Sequence, residues 1–298
     1  MHTLLGSLVS VSSLLCLSFP LVPLRAADAE AKAPSVTLTF DADLGRVHIP
    51  AVINESGPQP FLLDTGYTID MIRPQLADSL GLRRSGRIDI IGIAGREEAA
   101  LYRGVAFQFG GMEYRPRRVA ALPSHDRRRR GGILGGDFFQ RFVIEISVKD
   151  ATVILHDPDR FDYTGSGQVF PLTFDGETPV METVVASQGQ SIAARFEIDT
   201  GCDGAMCMDG GFVRQHPWVK LAEDGRPGER RGVGGGARTE TGRIGEVRLG
   251  TLKVESPMVN FFESGSLAGE GLAGHVGFEL LKPYRMIFDY ERKRLILE

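Results

Sequence analysis

Two copies of Asp-Thr-Gly, at Asp64-Thr65-Gly66 and Asp199-Thr200-Gly201, are the residues of this chain best suited to chemistry. They stand 135 residues apart, and each follows an apolar, strand-like run: Pro60-Phe61-Leu62-Leu63 before the first, Arg195-Phe196-Glu197-Ile198 before the second. Two carboxyls held close together cannot both ionise, because like charges at that range repel. One keeps a proton while the other accepts one, and the pair titrates as a unit. Such a pair can take a proton from water and protonate a leaving nitrogen with neither a metal nor a nucleophilic side chain. Gly66 and Gly201 let the backbone turn sharply, so that an N–H can face each carboxylate. An ordinary turn is the plainer use of these three residue types; their recurrence in matched contexts favours the pair.

The elements that would position them repeat as well. Ile133-Leu134-Gly135-Gly136-Asp137-Phe138-Phe139 corresponds to His275-Val276-Gly277-Phe278-Glu279-Leu280-Leu281 at an offset of 142, and that register runs without a gap to the end of the chain. Residues 47–53 and 180–185 read as strands ahead of turn residues. Residues 142–146 and 152–155 flank a turn at Lys149-Asp150, as in a hairpin, and residues 286–290 and 294–297 repeat this around Glu291-Arg292-Lys293. Helical signal is brief: residues 74–80 carry Pro74 in a first-turn position and end before Gly81. The polar, turn-rich stretch 157–168 marks a boundary. The expected class is therefore all-β, with an N-terminal lobe over 35–160 and a C-terminal lobe over 168–298.

With an apolar strand, Asp-Thr-Gly, and an apolar-apolar-Gly sequence near the end of each lobe, the chain resembles the aspartic peptidases of the retropepsin and pepsin type. The compact lobes are similar to bacterial retropepsin-like proteins fused in tandem. The resemblance implies a bilobal acid-protease fold of two pseudo-symmetric, β-barrel-like lobes with short helices. It implies Asp64 and Asp199 as the catalytic dyad, with Thr65 and Thr200 bonded across the interface beneath it. Gly92-Ile93-Ala94-Gly95 looks like the glycine-tipped flap of such enzymes, able to pair with an extended peptide. In the second lobe Gly232-Val233-Gly234-Gly235-Gly236 occupies the matching interval, as a flap or as a surface loop. The implied activity is an endopeptidase acting on peptide or unfolded protein. No cofactor and no metal is implied, and a monomer suffices because both lobes are in one chain.

Three positions depart from the family pattern. The residue after Asp-Thr-Gly is usually Ser, Thr or Ala, often donating to the outer carboxylate oxygen; here it is Tyr67 and Cys202. Tyrosine can donate through its hydroxyl, whereas cysteine is a poor donor. This keeps alive the alternative of a weak or inactive pseudo-peptidase that binds peptide. His275 replaces an apolar residue, either as a hydrogen-bonded core histidine or as a group that tunes the dyad with pH.

Composition limits the other classes. With 42% hydrophobic and 24% charged residues the chain has the make-up of a folded protein, and 37 glycines and 17 phenylalanines suit short strands and tight turns. A net charge of −4 gives no case for nucleic acid or an anionic membrane. Residues 4–24 are apolar and uncharged, and Ala27-Asp28-Ala29 has a small-x-small form, so residues 1–29 read as a signal peptide for export to the periplasm or beyond. An uncleaved membrane anchor is the alternative, since the run is nearly long enough to span a bilayer. Cys202 and Cys207, five residues apart along a loop and a strand, are expected as two buried thiols rather than a disulfide. The basic run Arg127 to Arg130 reads as a solvated loop.

Overall fold

The computed structural model describes residues 35–40, 45–124, 131–221, 225–263 and 271–298. The proposed signal segment, 1–29, and the arginine run at 127–130 lie outside them. Strands hold 52% of the described residues and helices about 10%, so the class is all-β. Among the described residues no helix is long and apolar enough to cross a membrane.

Two large sheets repeat one another strand for strand. The first runs, edge to edge, through Arg84–Gly92, Gly95–Tyr102, Val119–Ala121, Met71–Ile72, Gly132–Leu134, Gln59–Leu63, His48–Ile53, Phe107–Phe109 and Met112–Tyr114. The second places Arg226–Gly232, Gly235–Arg243, Met258–Phe262, Met206–Met208, Gly274–Gly277, Gln190–Asp199, Thr178–Ser187, Glu246–Leu249 and Leu252–Glu255 in the corresponding order, with Thr173–Asp175 added beside Thr178–Ser187. Even the register is kept: Ile133 stands opposite Leu62 in the first sheet as His275 stands opposite Glu197 in the second.

A six-stranded sheet joins the halves. The hairpin of Val143–Ser147 with Thr152–His156 abuts the hairpin of Met286–Asp289 with Arg294–Leu297. Their shared edge pairs Ile144 with Phe288, Glu145 with Ile287 and Ile146 with Met286. Under the 142-residue offset Glu145 and Ile287 are equivalent positions, so the local two-fold axis passes between them. Ala151 and Lys293, at φ of 51° and 49°, close the two hairpins in the left-handed region that such turns demand. On one outer edge lies Ser35–Thr39, against Thr152–His156, and on the other Gln168–Pro171, against Arg294–Leu297.

Helices are short and follow glycine or proline signals. Pro74–Ser79 starts at its proline and is followed by Gly81 at φ +60°. Gly136–Arg141 and Phe278–Leu281 each begin after a glycine, Gly135 and Gly277. Aromatic residues fill the space beneath the first sheet: Phe138 meets Phe109, Tyr114 and Phe142 at centroid distances of 5.2, 5.3 and 5.2 Å. Phe139 reaches Phe288 at 5.3 Å, edge to face, and so packs the first half onto the shared sheet.

Candidate active site

Asp64 follows the strand Gln59–Leu63 and Asp199 ends the strand Gln190–Asp199. Both strands lie in mid-sheet, flanked on one side by the parallel strands Gly132–Leu134 and Gly274–Gly277, so neither aspartate is free to drift. The structure brings the two together, each carboxyl lying against the glycine of the opposite loop. Gly66 N–H donates to Asp64 Oδ1 at 3.0 Å, and Gly201 N–H to Asp199 Oδ1 at 2.9 Å. Each glycine also faces the opposite carboxyl. A Cβ on Gly66 would stand 2.8 Å from Asp199 Cγ, and one on Gly201 would overlap the Asp64 carboxyl. Close approach of the two loops therefore requires glycine at both positions.

Thr65 and Thr200 lock the loops from below. Thr65 N–H donates to Thr200 Oγ1 at 3.1 Å and Thr200 N–H to Thr65 Oγ1 at 3.0 Å. Their hydroxyls then donate onward, Thr65 to Ile198 O at 2.5 Å and Thr200 to Leu63 O at 3.0 Å. Both threonines are buried, and every one of these bonds crosses between the halves. Arg46 adds another crossing, donating from Nη1 to Gly201 O at 2.6 Å.

The surroundings of the two aspartates differ. His275 Nδ1 lies 3.1 Å from Asp199 Oδ2, and its Nε2 lies 2.9 Å from Glu197 Oε2. The outer oxygen of Asp199 thus has a strong donor although Cys202 supplies no hydroxyl, while Cys202 N–H donates to Oδ1 at 3.0 Å. Burial opposes ionisation of Asp199, but the His275 hydrogen bond and charge outweigh it and hold the carboxyl below its ordinary range. His275 is likewise opposed by burial, and the bonds and charges of Asp199 and Glu197 hold its imidazolium well above the ordinary histidine value. Sequence offered no reason to single out Glu197, because a polar residue alternating with Phe196 and Ile198 reads as the solvent face of a strand. Here that face is covered.

Cys202 and Cys207 are closer than their separation along a loop and strand led one to expect. Their sulfurs are 3.4 Å apart, two free thiols in hydrogen-bond contact. The bond to Cys207, and then burial, push the Cys202 thiol well above its ordinary value. Tyr67 packs its ring against the apolar cluster that holds Leu62, Met71 and Ile133.

Gly92-Ile93-Ala94-Gly95 forms the tip of the hairpin Arg84–Gly92 with Gly95–Tyr102, and Val233-Gly234 the tip of the hairpin Arg226–Gly232 with Gly235–Arg243. The tips meet: Ala94 N–H donates to Val233 O at 3.2 Å. They also exchange side chains. Val233 packs in the first half's cluster with Leu62 and Ile133, whereas Ile93 packs against the second half's cluster of Cys207, Ala237 and Phe262. A Cβ on Gly92 would come within 2.5 Å of Val233 Cβ, so this crossing depends on glycine. The segment 232–236 is thus a hairpin tip packed against the first hairpin rather than a free surface loop.

Asp70 is a buried acid that nothing in its local sequence, one polar residue between Ile69 and Met71, singles out. Its carboxyl accepts from the Tyr114 hydroxyl and from Gly135 N–H, the latter at 2.8 Å, and so ties the end of the first loop to the glycine before Gly136–Arg141. Burial, partly offset by these two bonds, raises it from 3.8 to about 7. The folded protein therefore holds this proton more tightly than the unfolded chain. The stabilisation is complete below pH 3.8 and declines as pH rises towards about 7. Asp70→Asn, which never charges, should gain on the wild type in urea unfolding midpoint at about pH 8, with the gap narrowing towards about pH 4. An equal gap at both would show that no charge is buried there.

Residues 49–138 match the aspartyl protease family. Over its length the chain is similar to the aspartic proteinase from Irpex lacteus, with a TM-score of 0.58 and 12% identity, covering 88% of this chain and 96% of that one. At such identity the likeness is one of fold. A comparison with curated protein sequences gave no match. An aspartyl protease match thus covers residues 49–138, and the chain has the bilobal fold of an aspartic proteinase.

Proposed function

We propose that this protein is an aspartic endopeptidase that hydrolyses extended polypeptide with a water held between Asp64 and Asp199. The observation that carries the reading is the paired carboxyls, each on its own glycine turn, joined by the crossed Thr65–Thr200 bonds. One carboxylate takes a proton from the water as it attacks the peptide carbonyl. The protonated partner stabilises the developing oxyanion by donating to it, and the dyad then delivers a proton to the leaving nitrogen. The glycine-tipped hairpins above exclude water, and their edges can pair with an extended chain. Because the tips touch, polypeptide enters only after they part. Residues 4–24 and the small residues after them support export of this activity.

The alternative, a cleft that binds peptide without cutting it, rests on Tyr67 and Cys202. Its force at Cys202 is reduced by His275, which supplies the outer oxygen of Asp199 with a donor. The test is incubation of the purified protein with one polypeptide in folded and in unfolded form. Cleavage confined to the unfolded form is expected, with fragment ends that define the side chains flanking the cut. Binding without fragments, by a folded sample, would favour the alternative.

A further inference from the structure

The backbone of the candidate dyad is symmetric, but the charges behind it are not. In the first half, the positions flanking Asp64 in the sheet are Leu62, Ile133 and Met71, with Ile133 opposite both Leu62 and Met71. In the second half the same three places hold Glu197, His275 and Cys207, with His275 opposite both Glu197 and Cys207. Side chains alternate along a strand, so Glu197 and Asp199 share one face and both reach the imidazole. His275 and Glu197 side chains are only 10% and 11% exposed, so water screens neither.

We propose that His275, oriented by Glu197, is a positioning residue that fixes the dyad's negative charge on Asp199 and leaves its proton on Asp64. This inference rests on the peptidase reading and deepens it by dividing the roles: Asp199 takes the proton of the water, and Asp64 donates to the carbonyl oxygen. The geometry permits it because one ring bonds two carboxylates, Nε2 to Glu197 and Nδ1 to Asp199. The titratable groups that the neighbouring strands bring to the ring are Glu197 and Asp199 on one side and Cys207 on the other, with Asp64 beyond Asp199 and Cys202 against Cys207. Glu197 keeps the ring protonated, and the ring in turn makes the dyad's single ionisation directional.

The test is the pH profile of kcat/KM for wild type and His275→Gln on a peptide chosen from the fragment ends. Loss of the cation, with Glu197 still in place, makes every ionisation of the dyad harder. Both limbs of the bell should therefore move to higher pH by about one unit or more, which at the acid flank is about a tenfold loss. A merely structural histidine would lower the maximum and leave both limbs in place, and that result would overturn the proposal. Imidazole NMR of the same samples separates this inference from the peptidase reading. In wild type the His275 ring should stay protonated above the ordinary histidine range, and in Asp199→Asn its titration should fall by about one unit or more. A neutral ring at about pH 7, or a titration indifferent to Asp199→Asn, would overturn the proposal whatever the activity. A wild type that cuts nothing, yet shows the expected ring titration, would count for the charge assignment and against the peptidase reading.

Discussion

Replacing His275 by Ile should destabilise the protein by about 3–5 kcal/mol, and adding Glu197→Leu should restore most of that loss. The single change leaves Glu197 and Asp199 as two buried carboxylates without the cation between them, at 9% residue exposure for Glu197. Removing one partner of a buried ion pair costs far more than removing both, because the desolvated survivor has nothing to offset it. The double change installs the pair that the first half already uses at the same register, Leu62 against Ile133. Asp199 would retain the N–H groups of Gly201 and Cys202. Urea unfolding of the two single variants and the double at about pH 6 gives the coupling energy directly. Costs that simply add would mean that Glu197 and His275 do not depend on each other. The comparison also separates stability from chemistry, since the double variant should fold well yet lacks the imidazole beside Asp199. Its pH profile should shift less than that of His275→Gln, which keeps the Glu197 charge.

Much of the fold is legible because duplication lets the chain be read twice. Asp-Thr-Gly at two places and the 142-residue register from Ile133 onward locate the equivalent strands, and the shared sheet pairs positions related by that offset. Short hairpins and the helix at Pro74 follow from local turn chemistry, which is a property of adjacent residues. The features that escaped are those made by neighbours distant in sequence. Glu197 has the spacing of a solvent-facing residue, and only the strand Gly274–Gly277 laid beside it brings His275 against its carboxylate. His275 was visible as an oddity in an apolar run, but nothing local says that its ring spans two carboxylates. Cys202 and Cys207 meet because the loop after Asp199 folds back on itself, Phe278 N–H bonding Cys202 O and Gly277 N–H bonding Ala205 O. Ile93 and Val233 look like ordinary apolar tip residues until each is seen packed on the other half.

The asymmetry extends to the hairpin tips. Ile93 packs on the second half's cluster of Cys207, Ala237 and Phe262, whereas Val233 packs against the apolar residues behind Asp64. The two hairpin tips therefore cover unlike surfaces, one holding Cys207 and Phe262 and the other Leu62, Met71 and Ile133.

The most direct test of the central claim is peptide hydrolysis by Asp64→Asn, Asp199→Asn and the double variant, each first shown to be folded. Each single change should lower kcat/KM by at least about 10²–10⁴-fold, the usual contribution of a positioned acid or base. The double should be little worse than either single, because two carboxyls that share one proton act as a unit and fail as a unit. Asn keeps the size of each side chain and can still accept from the Gly66 or Gly201 N–H, so the loops should hold. Near-complete loss in both singles, with no further loss in the double, is the result this account requires. Retention of substantial activity by either folded single variant would contradict it, for the water would then be activated by something other than the pair.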